Sequence, residues 1–168
     1  MAKSRAKESL STETIAAAML LKKDPSIRKI VGDEKLNLCK AFLKKEKIEL
    51  TIGKVKDLKA FDFVRCRKTK KPKRQVKIDF SSVEDIEKNL ENITLIEMKS
   101  SDRIDIDKDF GKYFMPLGVR EFLLAVALKD RYRFILVHVG RGTIIELRWQ
   151  DILARAKTIN LDFKITLE

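Results

Sequence analysis

The chain has 168 residues, of which 44% are hydrophobic and 37% are charged, and its net charge is +12. This length predicts one folded domain with a core of its own. The strongly basic balance favours a polyanionic partner. The longest apolar run near the N-terminus, Ile15 to Leu21, is too short to cross a bilayer, so no membrane association is expected.

The small number of cysteines and histidines limits the kinds of metal site and catalytic site that the chain can form. Cys39 and Cys66 are the two cysteines, and both lie in segments that are predicted to be buried. Without a disulfide framework or zinc-ligand spacing, a reducing, cytoplasmic location is expected. His138 is the single histidine, which argues against zinc sites and histidine-dependent nucleases. Its apolar strand neighbours predict a hydrogen-bonded core position.

Two helices are predicted in the N-terminal part of the chain. The first covers residues 14–23 and ends before Pro25, which disfavours helical backbone in the residue that precedes it. The second covers residues 34–45, where apolar side chains recur at helical spacing. Asp33 is a favourable N-cap for this second helix.

The middle of the chain combines short strands with the most basic stretch of the sequence. Strands are predicted over residues 48–52 and 61–66, and the second is interrupted by Asp62. Residues 65–77 contain eight Lys or Arg and no acid, and a proline near the middle indicates a loop. The alternation of residues 76–80 predicts a returning strand.

A strand that carries two charges is the most informative segment. Residues 93–101 begin with an apolar and β-branched run, which predicts a buried strand, and a short helix is predicted before it over residues 83–90. Glu97 and Lys99 lie two positions apart, so their side chains project from the same face of the strand. Ionisable groups are costly to bury unless they are paired or bind a metal, so this placement indicates a functional site.

The C-terminal half of the sequence alternates between helices and strands. Residues 100–112 are polar and are predicted to form a loop. The later elements are a helix over 119–127, a strand over 131–139, a hairpin partner over 143–147, a helix over 149–157 and an edge strand over 161–167. This order predicts an α/β fold, a central sheet flanked by helices. We divide the chain into a basic helical extension, residues 1–30, and a folded domain, residues 31–168.

The two strand charges, with an acid on an earlier strand, suit the hydrolysis of a phosphodiester. That reaction needs a positioned water and neutralisation of the phosphate charge, which a divalent ion held by oxygen ligands largely supplies. We predict that the Asp62 and Glu97 carboxylates and the Met98 carbonyl bind Mg²⁺. Lys99 is the predicted base or water-positioning group. Asp79 is an alternative first ligand, because it lies nearer to Glu97 in the sequence.

The same residues resemble the motif of a known family. Asp62-Phe63-Val64, followed on a later strand by Glu97-Met98-Lys99-Ser100-Ser101, is similar to the PD-(D/E)xK nuclease superfamily, although no proline precedes either acid. The resemblance spans residues 32–140 and implies a restriction-endonuclease-like core, a mixed sheet between helices. It also implies a Mg²⁺ cofactor, with Mn²⁺ as a substitute. By resemblance, Glu34 is an auxiliary acid that contacts metal-bound water, and Glu121 has a supporting role.

The basic stretch is the candidate contact with nucleic acid. Its cations repel one another, and a phosphate backbone would relieve that repulsion. Contacts of this kind position the nucleic acid without reading its sequence. The candidate residues are Arg65, Arg67, Lys68, Lys70, Lys71, Lys73, Arg74 and Lys77.

Together with the resemblance, these features predict a Mg²⁺-dependent endonuclease that cuts double-stranded DNA, in a restriction or DNA-processing role. A short chain with one site cuts one strand, so a homodimer is expected for cutting both. Two alternatives keep the fold without the reaction: a catalytically inactive nucleic-acid-binding module and a subunit of a larger complex. RNA also stays open as the substrate.

Overall fold

The computed structural model describes residues 2–46, 60–67 and 77–157, and for residues 2–11 and 46 it describes the backbone alone. These residues contain five α-helices and five strands. The helices are α1 (Ala2–Lys23), α2 (Gly32–Glu46), α3 (Val83–Asn89), α4 (Val119–Leu128) and α5 (Trp149–Arg155). The strands are β1 (Ile27–Lys29), β2 (Phe63–Cys66), β3 (Ile93–Ser101), β4 (Tyr132–His138) and β5 (Thr143–Leu147).

The strands form one mixed sheet in the order β1-β2-β3-β4-β5. β3, the middle strand, pairs antiparallel with β2 and parallel with β4. Parallel neighbours require a crossover connection, and α4 lies in that connection. β4 and β5 form an antiparallel hairpin. The predicted α/β class, with a central sheet and flanking helices, is therefore confirmed.

Helices cover both faces of the sheet. The front face packs against α2, α3 and α4, and the rear face packs against α1. The front core includes Leu38, Phe42, Ile86, Leu95 and Leu124. The rear core includes Ala16, Leu20, Phe63, Ile96 and Ile135. The sheet thus lies between two helical layers, as expected when both of its faces are apolar.

β3 supplies alternate residues to the two faces. Ile96 belongs to the rear core, so its neighbours Glu97 and Lys99, which follow the strand alternation, point to the front face. The register of β3 with β4 places Phe134 beside Glu97 and Leu136 beside Lys99. The two charged residues are therefore surrounded by the apolar centre of the sheet.

Most of the predicted helices and strands are confirmed within two residues at each end. The main extension is α1, which begins at Ala2, well before the predicted start at residue 14. The strands predicted over 48–52 and 161–167 lie outside the described residues. Both cysteines are buried free thiols, as expected.

The returning strand predicted over residues 76–80 is wrong. Residues 77–79 have no strand pairing and lead into a turn. The Asp79 carboxylate accepts hydrogen bonds from the Ser81 N–H at 2.9 Å and the Ser81 hydroxyl at 2.7 Å. Ser82 then caps α3 by accepting from the Asp85 N–H at 3.2 Å. Turn and cap hydrogen bonds therefore outweigh the two-residue alternation here.

The predicted N-terminal extension supplies α1 and β1, and both contact the sheet. β1 pairs with β2 at the sheet edge, and α1 buries Ala16 and Leu20 against the rear face. Among the described residues, none of the helices combines the length and the apolar character that crossing a membrane requires.

Candidate active site

Glu97 and Lys99 form an ion pair on the front face of the sheet. The Lys99 Nζ lies 2.9 Å from the Glu97 Oε1. Glu97 is only 7% exposed, and the Lys99 side chain is 14% exposed. Both side chains project from the same face, as predicted. Their burial distinguishes this pair from a solvated pair on an edge strand, because buried charges are costly.

Glu121 on α4 is the second partner of Lys99. Its Oε1 accepts a hydrogen bond from the Lys99 Nζ at 2.9 Å, and its Oε2 accepts from the Gly118 N–H at 3.1 Å. A carboxylate is favoured in the first turn of a helix, where backbone N–H groups lack partners inside the helix. The hydrogen bond at the start of α4 therefore fixes the Glu121 carboxylate, and this carboxylate in turn positions Lys99.

Asp62 reaches the same point from the residue before β2. Its N–H donates to the Ile96 carbonyl at 2.8 Å, and its carboxylate Oδ2 accepts from the Met98 N–H at 3.1 Å. These two hydrogen bonds flank Glu97 on β3. Because the N–H and C=O of one residue in a strand point to the same side, the Met98 carbonyl is also directed to the β2 side of β3.

The environment of Glu97 disfavours its ionised form. Burial and the negative charges of Asp62 and Glu121 raise the pKa of Glu97 to about 8, although Lys99 acts in the opposite direction. Three carboxyl groups share one ammonium at this site, so negative charge is in excess when all of them are ionised. A strongly shifted pKa within such a group of side chains is typical of functional sites.

Lys99 is held in its charged form. Burial alone would lower the pKa of Lys99, but the ion pairs with Glu97 and Glu121 outweigh burial and leave the pKa above its ordinary value. Lys99 is therefore an ammonium at neutral pH, with no lone pair to accept a proton. Of its two predicted roles, this favours positioning a water molecule and offsetting charge over acting as the base.

The donor atoms at this point fit a hard divalent cation. The Asp62 and Glu97 carboxylates and the Met98 carbonyl are oxygen donors, which Mg²⁺ prefers, often through only one or two carboxylates. A cation would also neutralise the excess negative charge around Glu97. Within the described ranges, no group of three or more His, Cys, Asp or Glu side chains is arranged to hold a metal. A Mg²⁺ ion here would complete its shell with the carbonyl and water.

Two other acids considered from the sequence lie in different surroundings. Glu34, in the first turn of α2, pairs with Arg28 at 2.5 Å in an exposed ion pair near the sheet edge. Asp79 is exposed and hydrogen-bonded to Ser81. Of the two candidates for the first metal ligand, Asp62 is therefore the one whose carboxylate reaches β3 beside Glu97.

Most of the basic stretch, residues 68–76, lies outside the described residues and includes Lys68, Lys70, Lys71, Lys73 and Arg74. Arg67 and Lys77 flank that segment, and both are exposed. Arg65 is half-buried on the rear face, where its guanidinium lies 2.9 Å from Asp24 and 2.7 Å from Glu146. The Arg65 guanidinium is thus paired within the protein, on the face opposite to the site.

His138 occupies the hydrogen-bonded core position that the sequence predicted. It is 1% exposed, and its Nε2 lies 2.9 Å from the Arg103 carbonyl oxygen. Its Nδ1 accepts a hydrogen bond from the Arg141 N–H at 3.3 Å. With both ring nitrogens engaged, His138 holds the segment after β3 against the end of β4.

Sequence reasoning missed two features near the sheet. One is the ion-pair group around Arg65 and Glu146, for which the only signal was an arginine within an otherwise apolar strand. The other is Tyr113, which packs on Phe110 in the loop after β3. No periodic pattern marks a loop residue, so its position depends on contacts that the sequence does not reveal.

Comparisons with known proteins provide no identification. No protein-family model matches the chain, and no significant match was found among curated proteins or among solved structures. The resemblance to the PD-(D/E)xK superfamily therefore depends on the motif residues themselves.

Proposed function

We propose that the chain is a Mg²⁺-dependent endonuclease with a restriction-endonuclease-like core, which hydrolyses phosphodiester bonds in DNA. The supporting observation is that the Asp62 carboxylate, from the residue before β2, accepts from the Met98 N–H on β3, between Glu97 and Lys99, which pair at 2.9 Å. The mixed sheet between helices, in which a crossover helix and a parallel strand follow β3, is compatible with the core that the resemblance implies. We expect Mn²⁺ to substitute for Mg²⁺.

Each residue of the site has a distinct role in this proposal. Asp62, Glu97 and the Met98 carbonyl hold the metal ion, which when bound neutralises charge on the scissile phosphate. Lys99 orients the attacking water and offsets the charge that develops during the reaction. Glu121 pairs with Lys99 from α4, so Lys99 keeps one partner when Glu97 binds the ion.

A DNA substrate is supported by the net charge of +12 and by the exposed positions of Arg67 and Lys77 at the ends of the basic stretch. Phosphate contacts from such residues make affinity fall with salt, with a slope of about −0.9 for each phosphate on duplex DNA. A homodimer is part of the proposal, because one site in each chain cuts one strand.

Supercoiled plasmid DNA, incubated with Mg²⁺ or with EDTA, tests the proposal. We expect nicking or linearisation that requires the metal and is lost in Asp62→Asn and in Lys99→Ala. Asp79→Asn is the matched control for Asp62→Asn, since it makes the same change at an exposed acid outside the site. Loss of cleavage in Asp79→Asn with full cleavage in Asp62→Asn would contradict the ligand assignment.

DNA binding measured beside cleavage separates the enzyme from the alternatives. An Asp62→Asn variant that binds DNA but does not cut it supports the enzyme. Wild-type protein that binds DNA without metal-dependent cleavage, on a broad set of DNA, is instead a catalytically inactive binding module. If RNA were cleaved preferentially under the same conditions, RNA rather than DNA would be the substrate, and the assignment of the site residues would not change.

A further inference from the structure

The loop between β3 and α4 packs against the ends of β4 and α5. The His138 ring contacts the Arg103 carbonyl, and the Arg155 guanidinium donates to the Asp109 carbonyl at 2.8 Å. Phe110 belongs to a small apolar cluster with Leu136 of β4. These contacts hold the loop over the front face, on the side where Lys99 lies.

The turn that redirects this loop has an unusual backbone. Phe110 and Lys112 have φ angles of 64° and 62°, which place two residues other than glycine in the left-handed region. Such conformations persist where the surrounding structure fixes them, and they concentrate at functional sites. Tyr113 follows directly after this turn, so the turn determines the direction in which Tyr113 leaves it.

Tyr113 lies on the front face near Lys99. Its ring meets the Phe110 ring edge-on, with centroids 5.5 Å apart, and packs against the cluster that contains Leu136. Leu136 is the β4 residue beside Lys99 in the sheet register. Tyr113 is half-buried.

The Tyr113 hydroxyl makes no hydrogen bond within the described part of the chain. By contrast, the Tyr132 hydroxyl donates to the Ala60 carbonyl. Burial raises the pKa of Tyr113 by more than the nearby charges of Lys99 and Arg103 lower it. The phenol therefore keeps its proton, and its hydroxyl is a donor without a partner among the described residues.

We propose that Tyr113 binds substrate by donating its hydroxyl proton to a non-bridging oxygen of a DNA backbone phosphate beside the site. This inference rests on the proposed endonuclease function. A phosphate in this position would meet a neutral donor that no carboxylate occupies, whereas Lys99 is paired with Glu97 and Glu121, and Arg103 with Asp105. Hydrogen bonds to an ionised acceptor are among the stronger ones. The strained turn holds the donor in place before substrate arrives.

Tyr113→Phe tests the proposal because it keeps the ring packing and removes only the hydroxyl. The KM for nicking of supercoiled plasmid should rise roughly tenfold, with kcat and the melting temperature close to wild type. Affinity for a short labelled DNA duplex, measured in Ca²⁺ by fluorescence anisotropy, should fall by a similar factor. The salt slope of binding should not change, because a neutral tyrosine releases no counterion.

Tyr132→Phe is the matched control, since it removes a hydroxyl that donates to the protein itself. It should lower the melting temperature, because the Ala60 carbonyl loses its donor, and leave the KM unchanged. Equal KM and affinity in Tyr113→Phe and wild type would overturn the role of Tyr113 and leave the proposed function intact. A lower melting temperature in Tyr113→Phe that accounts for its loss of binding would also overturn it. Absence of Mg²⁺-dependent nicking by the wild type would overturn the proposed function and this inference with it.

Discussion

Two groups of charged side chains lie on opposite faces of the same sheet and differ in their balance of charge. The site cluster, on the front face, consists of Asp62, Glu97, Lys99 and Glu121. The rear cluster consists of Asp24, Arg65, Arg133 and Glu146. Three carboxyl groups share one ammonium in the site cluster, whereas two carboxyl groups meet two guanidinium groups in the rear cluster.

The pKa shifts follow this difference. Hydrogen bonds with Glu146 raise the pKa of Arg65 despite burial. Burial raises the pKa of Asp24, but hydrogen bonds from Ser26 and the charge of Arg65 outweigh it and leave that pKa below its ordinary value. Glu97 differs, because burial and like charges raise its pKa to about 8. The environment of Asp24 and Arg65 therefore favours their ionised forms, although burial lowers the pKa of Arg133 in the same cluster. The site cluster instead holds a carboxylate whose ionised form is disfavoured, as expected where a cation binds.

The largest expected effect is the loss of activity when a glutamate of the site cluster is replaced by glutamine. The same replacement in the rear cluster, made in a separate variant, provides the comparison. Glu97→Gln removes a proposed metal ligand and should reduce Mg²⁺-dependent nicking by roughly 10²-fold or more. Glu146→Gln makes the same change in the rear cluster and should leave the nicking rate near that of the wild type. Initial nicking rates at saturating Mg²⁺ measure both. A comparable loss of cleavage in Glu146→Gln would show that the two clusters do not divide function from stability.

The pH dependence of stability should also separate the clusters. Between pH 4.5 and about 8, the folded metal-free protein retains the Glu97 proton that the unfolded chain has lost. The free energy of unfolding should therefore fall over this range as pH rises, by an amount on the order of a few kcal/mol. Glu97→Gln should remove the decrease. Urea unfolding at a series of pH values tests this, and added Mg²⁺ should restore stability in the wild type but not in the variant.

The rear cluster should give the opposite pH dependence. The pKa of Asp24 lies below its ordinary value of 3.8, so the stability that its charge provides is present above pH 3.8 and is lost as pH falls through the folded pKa. Asp24→Asn should weaken this acid-side decrease and leave the decrease toward pH 8 unchanged. An effect of Asp24→Asn on the alkaline side would mean that the two clusters titrate together.

Arg65→Ala should produce the next largest change, this time in stability. It removes the cation of Asp24 and one of the two cations of Glu146, and it should lower the free energy of unfolding by about 1–3 kcal/mol. The effect should be smaller than for a fully buried pair, since the three side chains are 22%, 31% and 36% exposed. A double-mutant cycle with Glu146→Ala isolates the pair. If Arg65→Ala instead weakened DNA binding without changing stability, the prediction that Arg65 contacts nucleic acid would be supported.

The smallest expected effect is that of Glu121→Gln, which keeps an acceptor but removes the charge beside Lys99. We expect kcat to fall roughly tenfold with little change in KM, because Lys99 loses one of the two charges that position it. Asp151→Asn is a matched control, since Asp151 accepts from the Arg148 N–H at 2.8 Å in the first turn of α5, away from the site. A similar fall in kcat for both variants would reduce the role of Glu121 to capping its helix.

The features that the sequence predicted well depend on neighbours only a few residues away. The apolar spacing of residues 119–127 predicted α4, and the apolar run from Ile93 predicted β3. The two-residue spacing of Glu97 and Lys99 placed both on one face, where the structure has them. Periodicity carries this information because a helix or strand repeats at a fixed interval.

The features that the sequence did not predict depend on distant partners. Arg65 pairs with Asp24 and Glu146 across 41 and 81 positions of the chain. Lys99 meets Glu121 only because a crossover helix returns over the sheet. Spacing alone could not reveal these two sets of contacts. Asp79 is the exception, because there local hydrogen bonds to Ser81 overrode an alternating pattern that is typical of a strand.

The alternation of β3 has a consequence for how this chain can change in length. Removing one residue between Ile93 and Ile96 would turn Glu97 and Lys99 under α1 and bring Met98 to the front. The same deletion in the loop after β3 would leave the strand in register. A change of length within β3 therefore alters which side chains face the site, whereas a change of length in the loop leaves the faces of β3 unaltered.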